Sequence, residues 1–231
     1  MNHQQHKLIT LRDVGLRHGV RQVLSGVDLD ICRGDFMAIT GPNGGGKTSL
    51  LRIILGLLKP TVGRVDYIDA DGSRIRRMDV GYLPQKNAID SHFPLTVSEV
   101  VASGLLGRRG LSREEISDRT AATLRTIEME QYASQSIGRL SGGQVQRSLL
   151  GRALISGAPL LILDEPLSYV DKHFEHRIYD ILREQKASGT TVVLVSHEMT
   201  AIAEMATRHI IVDGTVHACH SDNHRVVCDC G

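Results

Sequence analysis

"DFMAITGPNGGGKTS", residues 35–49, decides the fold, because an apolar run leads directly into glycines and ends on a lysine, a threonine and a serine. The pattern GxxxxGK(S/T) between a strand and a helix predicts a phosphate-binding loop. Backbone N–H groups at a helix start carry partial positive charge, and glycines let the backbone approach a phosphate. Lys47 would hold the β- and γ-phosphates, and the Thr48 hydroxyl would ligate Mg²⁺. The predicted loop comprises Gly41, Pro42, Asn43, Gly44, Gly45, Gly46, Lys47, Thr48 and Ser49.

A second segment with chemical character is "LLILDEP", residues 160–166. Its apolar run predicts a buried strand that ends on Asp164 and Glu165. Phosphate-loop enzymes place an aspartate here to hold the Mg²⁺ shell, and the glutamate beside it can orient and deprotonate a water. Two acids could instead simply cap a strand end. Together with the phosphate loop, the pair favours a metal and water site.

The order of elements predicts an α/β fold, a P-loop NTPase core whose mainly parallel sheet is flanked by helices. The first forty residues alternate as an N-terminal antiparallel β subdomain. Residues 87–139 are predicted to be an inserted helical subdomain, since Thr96 with Glu99 and Ser112 with Glu115 form capping boxes. We therefore divide a single domain, 1–231, into a core with its β subdomain (1–86 and 140–216), the helical subdomain (87–139) and a tail rich in His and Cys (217–231).

Composition narrows the class of protein. The chain has 231 residues, of which 41% are hydrophobic and 23% charged, and its net charge is +1. This balance gives no reason to expect nucleic-acid binding. The N-terminus has no apolar leader, and the apolar stretch 50–58 is too short to span a bilayer. We expect a cytoplasmic chain.

The stretch "RLSGGQVQR", residues 139–147, poses a physical puzzle. Ser141 followed by Gln144 predicts a capping box that opens a helix. Gly142 and Gly143 nevertheless occupy its first turn, where each costs about 1 kcal/mol relative to alanine. A helix start weakened twice suggests that its backbone meets a ligand.

These segments together resemble the nucleotide-binding subunit of an ABC transporter, over about residues 7–217. "GPNGGGKT" resembles the Walker A motif of that family, "LILDE" its Walker B motif and "LSGGQ" its signature. Three further residues follow the order of motifs in that family. Gln85 after "VGYLP" resembles the Q-loop glutamine, Asp171 the D-loop aspartate and His197 after "VVLVS" the switch histidine. The resemblance implies an ATPase that uses ATP and Mg²⁺.

The resemblance also implies the roles of individual residues. Catalysis would involve Glu165, His197, Gln85 and Lys47, and Mg²⁺ would be held by Thr48, Gln85 and Asp164. The signature residues Ser141, Gly142, Gly143 and Gln144 would close over the nucleotide of another protomer, and Asp171 would cross the interface. The expected assembly is a homodimer with two composite ATP sites. The dimer would bind permease subunits at the cytoplasmic face of the cell membrane as a peripheral component. A solute-binding protein would be an indirect partner.

Two positions depart from the family pattern. The aromatic residue that usually stacks on adenine is replaced by His18, whose imidazole can stack with less area than tyrosine. His18 could equally be an ordinary surface residue. The D-loop "LSYVD" keeps only the final aspartate of the frequent "SALD".

The cargo is indicated by resemblance to metal-cation importers for zinc, manganese or iron. "HFPLTVSEVVASGLLGR", residues 92–108, resembles the coupling stretch of those ATPases, and Val170-Asp171 resembles their "GVD" D-loop. Iron-chelate uptake, lipoprotein release or another ABC transport cargo remain alternatives. A soluble ABC ATPase outside transport is a further alternative, although the long insertions usual in such proteins are absent from this sequence.

The tail offers ligands suited to zinc and similar ions, because imidazole and thiolate bind them well. Its spacing does not reproduce a CxxC…CxxC finger, so a polar tail with chance cysteines is the competing interpretation. The residues concerned are His217, Cys219, His220, His224, Cys228 and Cys230.

Overall fold

The structure is a computed structural model that describes residues 6–85, 90, 93–197, 200–222 and 225–228. For residues 200, 201, 219–222 and 225–228 it describes the backbone alone. The chain forms two compact units, of which unit 1 contains Met1–Asp79 and Lys186–Gly231 and unit 2 contains Val80–Gln185.

Unit 1 begins with an antiparallel sheet. Its strands lie in the order β2-β1-β4-β5. The first strand is buried over two consecutive runs, residues 8–11 and 14–16, so this part of the sheet is covered on both faces. The strands are β1 (Lys7–His18), β2 (Arg21–Cys32), β4 (Val62–Ile68) and β5 (Arg74–Ile75).

The rest of unit 1 is built around strand β3, which is parallel to its two neighbours, β8 and β9. Strand β10 pairs antiparallel with β9, and β11 pairs antiparallel with β10. Strands β3 and β8 are apolar apart from one terminal threonine each, which fits strands buried on both faces. The elements are β3 (Phe36–Thr40), α1 (Lys47–Ile54), β8 (Thr191–Val195), α6 (Thr200–Met205), β9 (Arg208–Val212), β10 (Val216–Asp222) and β11 (Arg225–Cys228).

Unit 2 combines two parallel strands with helices. The helices α2 and α3 lie in the chain between β6 and the helix that follows the signature sequence. The elements are β6 (Val80–Leu83), α2 (Val97–Ala102), α3 (Arg113–Thr126), α4 (Gly142–Ile155), β7 (Leu160–Asp164) and α5 (Lys172–Ala187). The predicted α/β class is confirmed, with an N-terminal antiparallel sheet, a mainly parallel core and inserted helices.

The predicted capping boxes are present at the starts of α2, α3 and α4. In each, the side chain of the capping Ser or Thr accepts a hydrogen bond from the backbone N–H three residues on, and the side chain of the Glu or Gln there accepts one from the N–H of the capping residue. Helix α2 ends at Ala102 and passes into a 3-10 turn at Ser103–Leu105, where Gly104 weakens helix formation. Among the helices described, none is long and apolar enough to span a membrane.

The tail contains more structure than the sequence suggests. Strand β10 continues to Asp222 and pairs with β11. The short polar run gave no periodic signal for this hairpin. The proposed division into 1–86 with 140–216, 87–139 and 217–231 stays a prediction.

Candidate nucleotide-binding site

The glycine-rich loop in unit 1 has backbone angles that require glycine. Gly41 and Gly46 have φ of +138° and +102°, a region that other residues rarely adopt. A Cβ on Gly41 would lie 2.1 Å from the carbonyl oxygen of Val212, so the loop backbone runs directly against the end of β9. The carbonyl of Gly45 also accepts a 2.9 Å hydrogen bond from the N–H of Gly214. The loop is therefore held in one shape by its neighbouring strand.

Lys47 opens helix α1 and folds back over the loop. Its Nζ donates to the carbonyls of Gly41, at 2.7 Å, and Pro42, at 3.0 Å, and the residue is 9% exposed. Thr48 and Ser49 follow in the first turn and are half-buried. The tip of the loop, Pro42 to Gly44, is exposed. The geometry is that of a preformed cradle with an ammonium at its base.

His197 lies at the same edge of the sheet as this loop. Strands β3 and β8 are parallel, with Ile39 opposite Val195, so both lead to the same edge. The N–H of Ser196 bonds to the carbonyl of Ile39 at 3.3 Å. His197 follows directly and is exposed. The fold thus brings the predicted switch histidine to the edge where the loop begins.

His18 is exposed at the turn of the β1–β2 hairpin, opposite Arg21. Arg21 was not predicted as a site residue, yet its Nη2 lies 3.8 Å from where a Cβ on Gly44 would stand. This hairpin therefore reaches the exposed tip of the loop. Only its place beside His18 in the sequence could have drawn attention to Arg21.

In unit 2, Gln85, Asp164 and Glu165 lie at one edge of the β6–β7 pair. These strands are parallel, with Leu83 opposite Leu163. Asp164 ends β7 and is 1% exposed, whereas Gln85 lies two residues beyond β6 and is exposed. Glu165 has φ of +56°, which is uncommon for a non-glycine residue. Strained backbone of this kind clusters at functional sites.

Gln146 holds the turn that contains Glu165, and sequence reasoning missed it. Its side chain, 1% exposed, donates from Nε2 to the carbonyls of Glu165, at 3.2 Å, and Pro166, at 3.4 Å. The helix that follows the signature thereby positions the segment after β7. Its place two residues after the quoted "LSGGQ" was the only sequence signal.

The two signature glycines have different surroundings. A Cβ on Gly143 would lie 2.6 Å from the carbonyl oxygen of Tyr169, so the chain's own packing excludes a side chain there. A Cβ on Gly142 would meet its first neighbour, the Cβ of Tyr169, at 3.9 Å, which is ordinary contact. Ser141 and Gln144 cap the helix, with Oγ accepting from Gln144 N–H at 3.3 Å and Oε1 accepting from Ser141 N–H at 3.0 Å. Only Gly143 is explained by this chain's packing.

Asp171 caps helix α5 and pairs with Arg147. Its Oδ1 accepts the N–H of Phe174 at 2.9 Å, and its Oδ2 lies 2.7 Å from Nη2 of Arg147. The Phe174 N–H and the guanidinium hold the pKa of Asp171 below its usual range. Arg147 also reaches Glu128 at 3.3 Å and stacks on the Phe174 ring at 4.0 Å. Asp171 thus has a structural role within the chain.

The signature residues line a cavity of about 570 Å³ in unit 2. Its walls include the α4 cap, the D-loop residue Tyr169, and Arg147 with its partner Asp171. Tyr169 has φ of +68° and is 76% exposed. The predicted residues Ser141, Gly142, Gly143, Gln144 and Asp171 thus share one cavity wall.

The tail ligands are only partly within the described structure. His217 is half-buried on β10, while Cys219, His220 and Cys228 have described backbones. His224 and Cys230 lie outside the described residues, as does His92 in the predicted coupling stretch. Among the described side chains, no three His, Cys, Asp or Glu residues gather as a metal site.

A phosphate loop after β3, acids after β7 and a glycine-rich cap on α4 together define the ATP-binding domain of an ABC transporter. Residues 24–168, more than half of the chain, match the ABC transporter family, and the chain belongs to it. It is an ABC transporter ATPase, whose ATP hydrolysis is coupled to transport.

Particular relatives refine this placement. The chain is 35% identical over 227 residues to the zinc uptake system ATP-binding protein ZurA of Listeria monocytogenes, covering 91% of this chain and 87% of that protein. It is 37% identical over 210 residues to the zinc transport system ATP-binding protein TroB of Treponema pallidum, covering 89% and 78%. Among solved structures, the dimeric post-hydrolysis state of the ATP-binding cassette MJ0796, bound to ADP and Pi, matches with a TM-score of 0.81 and 32% identity over 94% of this chain and 99% of that one.

Proposed function

We propose that this chain energises the import of a transition-metal cation, zinc, manganese or iron, through a partner membrane permease. The names of its relatives support this choice of cargo, since ZurA and TroB are named for zinc uptake and transport. A Chlamydia trachomatis relative, 30% identical over 228 residues, is named a probable metal transport system ATP-binding protein. The segment 92–108 supports the same class.

In the proposed mechanism, the cradle of unit 1 binds the phosphates of ATP. Lys47 exchanges its bonds to two loop carbonyls for bonds to the β- and γ-phosphates, which is possible because those carbonyls are neutral and phosphate is charged. His197 donates to charge that develops on the γ-phosphate. Glu165 orients the attacking water and accepts its proton, and Gln85 helps to position that water.

The residues proposed to hold Mg²⁺ fit this ion chemically. Thr48, Gln85 and Asp164 offer hydroxyl, amide and carboxylate oxygens, the hard donors that Mg²⁺ prefers. Asp164 stands at the end of a buried strand, where a carboxylate is well placed to hold a cation. When bound, Mg²⁺ would neutralise charge on the phosphates.

The surroundings of Gly142 favour a composite site shared between two copies. This chain leaves room for a side chain at Gly142, so its glycine is better explained by a group from outside. The start of α4 attracts anions through its N–H groups and dipole. We therefore propose a head-to-tail homodimer in which Ser141, Gly142, Gly143 and Gln144 close over the γ-phosphate held by the partner. Asp171 would lie at that interface.

Exposed apolar residues in unit 2 offer a surface for the permease. Leu106 is 82% exposed and Phe93 is 43% exposed, both within the stretch that resembles the coupling segment. Exposed apolar surface of this kind is typical of interaction sites. On this proposal the ATPase is peripheral on the cytoplasmic face of the membrane, and a solute-binding protein delivers the cation to the permease. No contact with nucleic acid is expected.

Reconstitution tests the cargo. The chain is co-expressed with its genomically adjacent permease, purified, and placed in proteoliposomes with the adjacent solute-binding protein. ATP-dependent accumulation of Zn²⁺, Mn²⁺ and Fe²⁺ is measured against an iron chelate. Accumulation of a free cation supports the proposal. Accumulation of the chelate alone, or ATPase activity with no attachment to a permease, would contradict it.

The docking surface has its own control. Leu106→Glu should prevent co-purification with the permease while leaving ATP hydrolysis by the isolated chain unchanged. Leu57→Glu changes another leucine that is 69% exposed, and it should leave attachment intact. If both variants co-purify equally well with the permease, Leu106 is not part of the interface.

A further inference from the structure

Three potential metal ligands lie in a row across neighbouring strands of unit 1. In the antiparallel pair β9–β10, His209 is directly opposite Cys219. In the pair β10–β11, Cys219 is directly opposite Cys228. Directly opposed residues of antiparallel strands belong to the same face of a sheet. The register therefore assigns one imidazole and two thiols to one line on one face.

A fourth ligand belongs to the same face. His217 is two residues from Cys219 on β10, and alternate residues of a strand share a face. The pairing of His217 with Ile211 of β9 keeps the same register. Adjacent strands lie about 4.8 Å apart, and alternate residues of a strand about 7 Å. The backbone positions of these four residues are thus close enough for one ion to lie between them.

His209 supplies an independent observation. Its Nε2 lies 2.9 Å from the hydroxyl Oγ1 of Thr40. Its Nδ1 is buried and has no hydrogen-bond partner among the side chains that the structure describes. If Nε2 donates to the hydroxyl, Nδ1 carries a lone pair, which is the arrangement of a metal-binding histidine oriented by its second nitrogen. Burial lowers the pKa of His209 below its usual value.

We propose that His209, His217, Cys219 and Cys228 form a binding site for one Zn²⁺ ion. Two imidazoles and two thiolates are a tetrahedral zinc donor set, and the two thiolates balance the charge of the ion. Binding displaces one proton from each thiol, so two protons are released per ion. Thr40 acts as a positioning residue for His209.

This arrangement explains why the spacing of the ligands in the chain is ambiguous. Zinc fingers bring their cysteines together by short spacing such as CxxC. Here the β9–β10–β11 register does so instead, and His209 lies outside the tail that first suggested metal binding. Bound zinc would tie β11 to β9 across β10. The site is independent of the ATP site and of the proposed cargo.

Zinc titration of the full chain tests the site. Chelator-treated, reduced protein without nucleotide is titrated with Zn²⁺ against a chromogenic zinc indicator, and Co²⁺ is used to detect thiolate coordination by its absorption. Wild type should bind one ion, with a thiolate-to-cobalt band. Cys219→Ser and Cys228→Ser should each weaken binding by more than about 100-fold, beyond the effect of losing an outer-shell partner.

Matched controls separate the site from general effects of the tail. His220→Asn changes a neighbouring histidine whose register position, opposite Val227, belongs to the other face, and it should bind as wild type does. Thr40→Val should weaken binding by about 10-fold, since outer-shell partners contribute that much. Circular dichroism should match wild type in each variant, and ATP binding should match it in the cysteine and His220 variants, because those residues lie outside the nucleotide cradle.

Three outcomes would overturn the proposal. One is equal zinc affinity of wild type and Cys219→Ser. Another is equal weakening by His220→Asn and Cys219→Ser, which would indicate non-specific binding by the tail. The third is a Cys219–Cys228 disulfide in protein purified without reductant, found by peptide mapping, together with no one-to-one zinc binding after reduction. The thiol of Cys32 should not contribute to zinc or cobalt binding, since it is buried and burial raises its pKa.

Discussion

A methyl group added at Gly142 should separate stability from activity. The nearest atom to the new Cβ is the Cβ of Tyr169 at 3.9 Å, so the folded chain accepts it without strain. Alanine is favoured over glycine in a helix by up to about 1 kcal/mol. Gly142→Ala should therefore raise the melting temperature by about 2–4 °C in a chain of this size. The same methyl group would occupy the space that we assign to the partner's γ-phosphate.

The expected cost to activity is large. Removing one preorganised donor at a developing anion typically lowers kcat by about 100- to 1,000-fold. A methyl group that keeps the phosphate away from the α4 N–H groups should cost about as much. ATPase assays measure the loss, and size-exclusion chromatography with ATP, in the Glu165→Gln background, measures dimer formation. ATP binding by the monomer should be unchanged.

Gly143→Ala is the matched control. Its Cβ would lie 2.6 Å from the carbonyl oxygen of Tyr169, so the D-loop must shift. Overpacking of this kind costs about 1–3 kcal/mol, more than the helix gains. This variant should lose stability and activity together. The reasoning is refuted if Gly142→Ala hydrolyses ATP as wild type does, or if it is destabilised as much as Gly143→Ala.

Other substitutions test the remaining roles. Glu165→Gln should bind ATP but lose hydrolysis and accumulate an ATP-dependent dimer, because the base is gone while the phosphate contacts remain; turnover near the wild-type rate would remove Glu165 from that role. Lys47→Ala should weaken ATP binding itself, measured by calorimetry, since a charge-assisted bond to phosphate is lost, and unchanged affinity would count against the cradle. Ser141→Arg should abolish hydrolysis while monomeric ATP binding stays near wild type, and loss of both would argue that the cap serves its own chain.

Local patterns account for what could be predicted. The phosphate loop, the strand that ends on Asp164 and the capping boxes each depend on residues a few positions apart, so the sequence contains their whole physical cause. The parallel core followed from continuous apolar strands separated by helices. The boundary of α2 was less predictable, because glycine within a helical stretch changes the length without removing the helix.

Long-range contacts account for what was missed. Gln146 matters because its amide meets the carbonyl of Glu165, nineteen residues away, and Arg147 because it meets Asp171, twenty-four residues away. The need for glycine at position 143 arises from the Tyr169 carbonyl. The β10–β11 hairpin also lacked a local signal, since its strands are short and mix polar with apolar residues without a regular period. None of these causes can be read from neighbouring residues.

Helix α4 gives a physical link between the cap at its start and the carboxylate assigned as the base. Ser141 and Gly142 lie at the N-terminus of the helix, and Gln146, about one turn further on, holds the carbonyls of Glu165 and Pro166. Because a helix moves largely as a rigid body, a displacement of the cap on a phosphate also displaces Gln146. In the proposed dimer, the cap serves the partner's nucleotide, whereas Glu165 serves the chain's own. In that dimer, ATP binding at one site would displace α4 and thereby shift Glu165, the base of the other site.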